Sequence, residues 1–164
     1  MRVLIIAYFY PPANTVASQR PGFFSEALSE FGYEVCVISA HHPNLLPDLA
    51  TSKRVGLYQL PIRGVVRPTS ARPTVVAPLI KGRARSVIRT ILRGLRLFPD
   101  GTGRWVRDAV RQAKSLGQFD LVITSCPPWS AHSVGFRLKQ HTPAVKWVMD
   151  YRDLWSLNRT RYPF

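Results

Sequence analysis

The sequence predicts an α/β protein whose mostly parallel, Rossmann-like sheet is flanked by helices. Apolar, β-rich runs alternate with helical segments through most of the 164 residues. The first strand–helix–strand unit spans about 40 residues, the length of a βαβ unit with a right-handed crossover. With 46% hydrophobic and 20% charged residues, the chain has a globular composition and the length of one domain with a full core.

Five segments have the composition of strands. The first is a continuous apolar run that ends at Pro11 and Pro12, as expected for a strand covered on both faces. Pro61 has no backbone N–H to donate to a central ladder, so the third segment is predicted to lie at an edge of the sheet. The segments are Val3–Phe9, Glu34–Ala40, Val55–Ile62, Leu121–Ser125 and Val145–Met149.

The first helix is predicted to run from an N-cap at Ser18 to Phe31, with Pro21 in its first turn and Gly32 after its end. Apolar residues at helical spacing are expected to face the core. They are Phe23, Phe24, Ala27, Leu28 and Phe31.

Three more helices follow. One covers Lys81–Leu97, after an irregular Pro- and Arg-rich segment over residues 63–78. Another starts at Thr102 or Gly103 and ends near Gly117, and the last is capped by Ser130 and reaches Gln140. The sequence has no internal repeat.

The chain is strongly basic, with 23 Lys and Arg against 9 Asp and Glu, a formal charge of +14. Such a surface attracts nucleic acid, anionic lipid or phosphorylated ligands. Because no basic–aromatic recognition motif is present, we expect no nucleic-acid partner. Cys36 and Cys126 are too few for a disulfide framework, and the apolar start Val3–Tyr10 is too short for a signal peptide, so a cytoplasmic location is expected.

Ligands of parallel α/β sheets bind beyond the carboxyl ends of the strands. Three predicted loops lie there, at residues 10–20, 125–132 and 150–158. The sequence therefore places its candidate functional residues in these loops.

Four segments in and between these loops carry a family resemblance: YFYPPANTVASQRP, FPDGTGRW, FDLVITSCPPWSAH and WVMDYRDLW. In order and spacing they resemble the amino-terminal domain of family 4 glycosyltransferases of GT-B fold, and most closely the enzymes of bacterial cell-surface polysaccharide assembly. The resemblance covers residues 2–158. The combination of PP after the first strand, PP-x-SAH and D-x-RD-x-W carries it.

The resemblance implies two Rossmann-like domains that face each other across a cleft. The amino-terminal domain binds a sugar or lipid-linked acceptor, and the carboxy-terminal domain binds the nucleotide-sugar donor without a metal. Nothing in residues 1–164 corresponds to that second domain. The chain is therefore expected to hold no cofactor and to be inactive alone, because both walls of the cleft are needed for transfer.

Acidic and imidazole groups are the candidate catalytic residues. Asp150, Asp153 and His132 are each placed to orient or deprotonate an acceptor hydroxyl. The resemblance puts a catalytic histidine near residue 132, with Ser125 as the rival position. Arg152 suits a phosphate, although it could instead pair with Asp150 or Asp153 and fix the loop.

Ser18 and Arg20, near a helix N-terminus, are candidate phosphate ligands, although Ser18 could serve only as the cap. Trp155 is a candidate for stacking on a sugar, as are Trp105 and Trp129, and core packing is the alternative for all three. The adjacent residues His41 and His42 lack further ligands at metal-binding spacing, so no metal site is expected.

The helix at 81–97 has a basic stripe opposite an apolar one and could lie on an anionic membrane. A solvated face over the core is the alternative. A second functional hypothesis follows, a non-catalytic module that docks on the cytoplasmic face of a membrane through this helix. The stripe consists of Lys81, Arg85, Arg89, Arg93 and Arg96.

Overall fold

A computed structural model of the chain describes residues 1–43, 45, 54–61 and 102–152. In these ranges five strands form one all-parallel sheet flanked by three helices, which confirms the predicted α/β, Rossmann-like class. The predicted helix over 81–97 and the irregular segment over 63–78 lie outside the described residues. The elements are β1 (Arg2–Ala7), α1 (Val16–Glu30), β2 (Glu34–His41), β3 (Gly56–Pro61), α2 (Gly103–Ser115), β4 (Leu121–Cys126), α3 (Ser130–His141) and β5 (Lys146–Tyr151).

The sheet order is β3-β2-β1-β4-β5. From β1 the chain moves outward through β2 to β3, then returns to add β4 on the other side of β1 and β5 beyond it. The crevice at the carboxyl ends of β1 and β4 is therefore a topological switch point, where ligands of open α/β sheets bind. β3 lies at the edge, as Pro61 predicted, and Pro61 itself forms the last register pair with His41.

Alternation along the strands divides the core between the two faces of the sheet. Leu4 and Ile6 of β1 point toward α2 and α3, where they join Trp105, Ala109 and Val134. The intervening residues of β1 point to the opposite face, where Phe24 and Leu28 of α1 cover them. The main apolar side chains of β1 are fully buried, so this strand forms the centre of the core.

The N-cap of helix α1 lies three residues before the predicted one. Thr15 is the N-cap: its hydroxyl accepts from the Ser18 backbone N–H, while Ser18 Oγ accepts from the Thr15 backbone N–H. Ser18 is thus the third helical residue of a capping box, and the prediction that it is the cap is wrong. Pro21 accordingly lies inside the helix rather than in its first turn.

The apolar face of α1 is narrower than predicted. Phe24 and Leu28 pack on the sheet, but Phe23 and Phe31 are 69% and 77% exposed. The helix ends as expected, with Gly32 in a left-handed conformation at φ +80° that favours glycine.

Helices α2 and α3 begin side by side. The hydroxyls of Thr102, the N-cap of α2, and Ser130 are hydrogen-bonded to each other. Ser130 is the first residue of α3, and Trp129 occupies the N-cap position without a side-chain capping bond. The prediction that Ser130 caps α3 is wrong, because its hydroxyl is directed to the neighbouring helix.

Gly135 lets α3 lie very close to the sheet. A Cβ atom there would come within 2.6 Å of Trp147 Cε2 and 2.7 Å of Thr124 Cγ2. Real Cβ atoms do not approach that closely, so a side chain at this position would displace α3 from β4 and β5.

Arg2 connects several segments at the edge of the sheet where the strands begin. Its backbone N–H donates to Asp120 Oδ2 at 2.7 Å, and its Nε donates to Glu34 Oε1 at 2.9 Å. The guanidinium also donates to the carbonyls of Gln118 and Leu116, which follow α2. One side chain thus links the starts of β1 and β2 to the segment before β4.

Both cysteines are buried thiols that form no disulfide, as expected. Burial raises the pKa of the Cys36 thiol, so the thiol stays protonated and unreactive at neutral pH. Within the described ranges, no helix combines the length and apolar character that crossing a membrane requires.

Candidate functional site

A carboxylate, a hydroxyl and a guanidinium meet at the switch point. Ser125 and Asp150 are register partners in β4 and β5, and Ser125 Oγ donates to Asp150 Oδ2 at 2.9 Å. Arg20 of α1 reaches the other oxygen, with Nη1 3.4 Å from Oδ1. We call Arg20, Ser125 and Asp150 the carboxylate cluster.

β5 runs further than its apolar pattern predicts. The predicted strand ends at Met149, but the ladder continues to the pair Cys126–Tyr151, so Asp150 lies within the strand and not in a loop. The ladder fixes the Asp150 backbone, and its side chain is only 11% exposed. This carboxylate is therefore held rigidly at the edge where ligands bind.

The carboxylate cluster can recognise a polar ligand in two ways. Asp150 can accept a hydrogen bond from a ligand hydroxyl. The Arg20 guanidinium lies over the Phe24 ring and is 47% exposed, and it has more N–H donors than the one that faces Asp150. Asp150 makes its ion pair with Arg20, so it is not the structural partner of Arg152 that the sequence allowed. Arg152 is exposed.

Ser18 does not join this cluster. Its side chain is fully buried, and its hydroxyl contacts the Ala13 carbonyl, the Thr15 carbonyl and the Thr15 hydroxyl. The predicted role of Ser18 as a phosphate ligand is not supported by this arrangement, because the hydroxyl is used to fix the loop before α1. Arg20, two residues later, does reach the site.

His132 lies on the other face of the same edge. It is the third residue of α3, in the first turn as predicted, and its side chain is 6% exposed. Its Nδ1 is 2.7 Å from Thr124 Oγ1, which also accepts a hydrogen bond from Trp147 Nε1 at 3.0 Å. Nε2 is buried and has no hydrogen-bond partner among the described residues.

Burial lowers the pKa of His132 to about 4, and the nearby Asp150 charge opposes that shift only in part. The imidazole is therefore neutral at physiological pH. A histidine with so low a pKa is a weak base, and it can act near pH 7 only as a neutral hydrogen-bonding group.

Aromatic rings lie near His132. The Tyr151 ring lies 4.4 Å from the imidazole, centroid to centroid, and 6.0 Å from the Trp129 ring. Tyr151 is 45% exposed, whereas Trp129 and Trp105 are almost fully buried. Trp105 and Trp129 therefore pack in the core, the alternative that the sequence left open, and Tyr151 is the aromatic ring that a ligand at this edge could contact.

The carboxylate cluster and His132 lie on opposite faces of the sheet. Asp150 and Ser125 share a register row with Ala7, on the face covered by α1. His132 sits with Thr124 on the face covered by α3. The sequence correctly predicts that these residues gather at one edge, but the structure divides them between two faces, and only the Asp150 charge connects them.

Several predicted residues lie outside the described part of the chain. Among the site residues these are Asp153 and Trp155, which follow Arg152. The basic membrane stripe also lies there: Lys81, Arg85, Arg89, Arg93 and Arg96.

Three residues beside His132 were not predicted from the sequence: Thr124, Trp147 and Gly135. Thr124 is a fully buried polar residue in an apolar strand, and such residues need a hydrogen-bonding partner. That signal was available from the sequence. The register that brings Trp147 to Thr124, and the close approach that requires Gly135, depend on tertiary packing.

Metal-ligating residues do not cluster in the described ranges, where no group of three or more His, Cys, Asp or Glu is placed to hold an ion. His42 Nε2 donates to the Tyr8 carbonyl at 3.1 Å, and its ring stacks on Phe9. Burial lowers the pKa of His42, so it too is a neutral structural group. His41 is the last residue of β2 and not part of a loop.

In comparisons with known proteins, no family model, no curated protein and no solved structure matches the chain.

Proposed function

We propose that this chain is the acceptor-side domain of a glycosyltransferase that transfers a sugar from a nucleotide-sugar to a lipid-linked or polysaccharide acceptor in cell-surface glycan synthesis. The observation that carries the proposal is the carboxylate cluster at the switch point between β1 and β4. It combines a rigid carboxylate with a half-exposed guanidinium in the crevice where such sheets bind ligands.

The chemistry of the cluster suits a phosphorylated saccharide. A sugar hydroxyl needs an acceptor to orient it for attack, which the Asp150 carboxylate supplies. A phosphate needs a cation with several directed donors, which Arg20 supplies. The Asp150 carboxylate and the Arg20 guanidinium form an ion pair, so a single sugar phosphate can contact both.

The basic surface agrees with an anionic, membrane-linked acceptor. A formal charge of +14 draws phosphorylated lipids toward the domain. A lipid-linked acceptor would bring the domain to the cytoplasmic face of a membrane as a peripheral protein. A nucleotide-sugar, bound by a second domain, is the expected donor.

The test is acceptor binding by the full chain. Vesicles of otherwise neutral lipid that carry a polyprenyl-pyrophosphate-linked saccharide are compared with vesicles in which anionic phospholipid supplies the same total charge. We expect tighter co-sedimentation with the saccharide vesicles, and a loss of about tenfold in affinity when Asp150→Asn removes the carboxylate, since a charged hydrogen bond contributes about 1.5–3 kcal/mol.

Equal binding to both kinds of vesicle would mean that charge alone drives association, and it would favour the membrane-docking alternative over an acceptor site. Asp108→Asn is the matched control. Asp108 pairs with Arg111 on the surface of α2 and is not part of the cluster, so this variant should bind like the wild type.

A further inference from the structure

The Thr124 hydroxyl has three polar neighbours and only one proton to donate. Trp147 Nε1–H can only donate, so its contact at 3.0 Å occupies one lone pair of Thr124 Oγ1. The single hydroxyl proton then goes either to His132 Nδ1 at 2.7 Å or to the Val148 carbonyl at 3.5 Å. Hydroxyl hydrogen bonds have lengths of about 2.5–3.0 Å, so the proton is directed to Nδ1.

The direction of this bond fixes the tautomer of His132. A neutral imidazole has one nitrogen that accepts and one that carries hydrogen. Because Nδ1 accepts from Thr124, the hydrogen must be on Nε2. The chain of bonds therefore runs from Trp147 through Thr124 to His132, and it leaves a buried N–H donor at the ligand-binding edge of the sheet.

That donor has no partner among the residues that the structure describes. Buried polar groups are nearly always hydrogen-bonded, so an orphaned one indicates a partner that binds from outside. The Tyr151 ring lies against the imidazole and is 45% exposed.

We propose that Trp147 and Thr124 are positioning residues that hold His132 as the neutral Nε2–H tautomer, whose N–H donates to a phosphate oxygen of the ligand. The identity of that ligand rests on the proposed function. His132 is then a ligand-binding donor, and not the base that its place in the sequence indicates.

Charge and burial at the site agree with this role. The low pKa of His132 keeps the ring neutral near pH 7, so the tautomer persists under physiological conditions. Arg20 lies on the opposite face of the sheet at the same edge, and its charge adds a positive potential there. A neutral donor in a positive potential can bind a phosphate oxygen without a second buried charge.

Nitrogen NMR of histidine-labelled protein tests the tautomer directly at pH 7. We expect an unprotonated Nδ1 and a protonated Nε2 in the wild type. Both Thr124→Val and Trp147→Phe should increase the Nδ1–H population. The first removes the hydroxyl that donates to Nδ1, and the second frees a lone pair of that hydroxyl to accept from Nδ1–H. Trp105→Phe, which removes another buried indole outside this chain of bonds, should leave the tautomer unchanged.

Inorganic pyrophosphate is the probe for the ligand, at constant ionic strength. We expect its addition to shift the Nε2–H resonance, and we expect His132→Phe to weaken its binding by about tenfold. His132→Gln, which keeps an N–H near the position of Nε2, should retain more affinity than His132→Phe. An Nδ1–H tautomer in the wild type, or no response of Nε2 to pyrophosphate, would overturn the inference.

These outcomes separate this inference from the proposed function. Saccharide binding by a protein with an Nδ1–H tautomer would support the proposed function and refute the role of His132. A protein that binds no saccharide but has an Nε2–H that responds to pyrophosphate would do the reverse.

Discussion

Ser125 and Asp150 lie opposite each other in neighbouring parallel strands, and the serine hydroxyl donates to the carboxylate at 2.9 Å. In a parallel ladder, register partners project from the same face of the sheet. The backbone therefore sets this contact, and it does not depend on a loop conformation. The site is built on rigid elements, which is the arrangement that holds functional groups within tight geometric limits.

Removal of the Asp150 charge should affect binding much more than folding. Asp150→Asn keeps the shape of the side chain and an oxygen that can accept from Ser125, and it loses the attraction to the half-exposed Arg20. Ion pairs with one exposed partner contribute about 0–1 kcal/mol. We expect urea denaturation to show a loss of no more than about 1 kcal/mol, whereas vesicle binding falls about tenfold. A large loss of stability with unchanged binding would show that Asp150 has a structural role.

Gly135→Ala should destabilise the protein, because the new Cβ would overlap Trp147 and Thr124. Overpacking of this kind costs about 1–3 kcal/mol. Urea denaturation measures the loss. Gly103→Ala is the matched control, since a Cβ at Gly103 meets no atom within 4 Å and alanine favours the helix. Equal stability of the two variants would contradict the close approach of α3 to the sheet.

The stability of the protein should fall in acid through His132. Its pKa is about 4 in the folded chain, against an ordinary value of 6.5. As the pH falls below about 6.5, the unfolded chain takes up this proton first, so the free energy of unfolding decreases until about pH 4. The full contribution is about 3 kcal/mol.

Other groups also contribute to the loss of stability in acid, so the His132 contribution is measured as a difference between two variants. The unfolding free energies of the wild type and His132→Gln are compared between pH 7 and pH 4.5. The wild type should lose more stability over this interval. Identical pH dependence would show that His132 is freely protonated in the folded state.

The capping box of α1 should contribute measurably to stability. Thr15→Ala removes the hydroxyl that accepts from the Ser18 N–H, and loss of an N-cap costs about 1 kcal/mol. Ser115→Ala removes an exposed hydroxyl bonded to the Gln112 carbonyl at the end of α2 and should change stability little. Chemical denaturation that gives equal effects for both variants would contradict the assignment of Thr15 as the cap.

The fold class, the edge position of β3 and the location of the site could be predicted because they depend on local patterns. Apolar runs alternate with amphipathic segments, and Pro61 marks the edge strand. Parallel topology then brings residues 20, 125, 132 and 150 to one edge. These conclusions need only the spacing of residue types along the chain.

Details of the helix starts could not be predicted. Ser18 and Ser130 both precede apolar residues, as caps do, but competing hydroxyls decide their roles. Thr15 lies three residues before Ser18 and completes a reciprocal pair, while Ser130 bonds to Thr102 on another helix. The exposed Phe23 and Phe31 show a similar limit, because α1 presents only a narrow face to the sheet.

The chemistry of His132 also required the structure. Its sequence position indicates a base, but burial and the Trp147–Thr124 contacts make it a neutral donor. Those contacts join three elements that are separated in sequence, and they depend on the absence of a side chain at Gly135. No local pattern around His132 records them.

Arg2 has a practical consequence for surface-based binding experiments. Its contacts fix the start of the chain at the amino edge of the sheet, and the Met1 carbonyl accepts from the Glu34 N–H at 3.1 Å. In a parallel sheet this edge is the one furthest from the carboxylate cluster. An affinity tag attached before Met1 would therefore immobilise the protein with its candidate site facing the solution, and ligand access would not be blocked by the support.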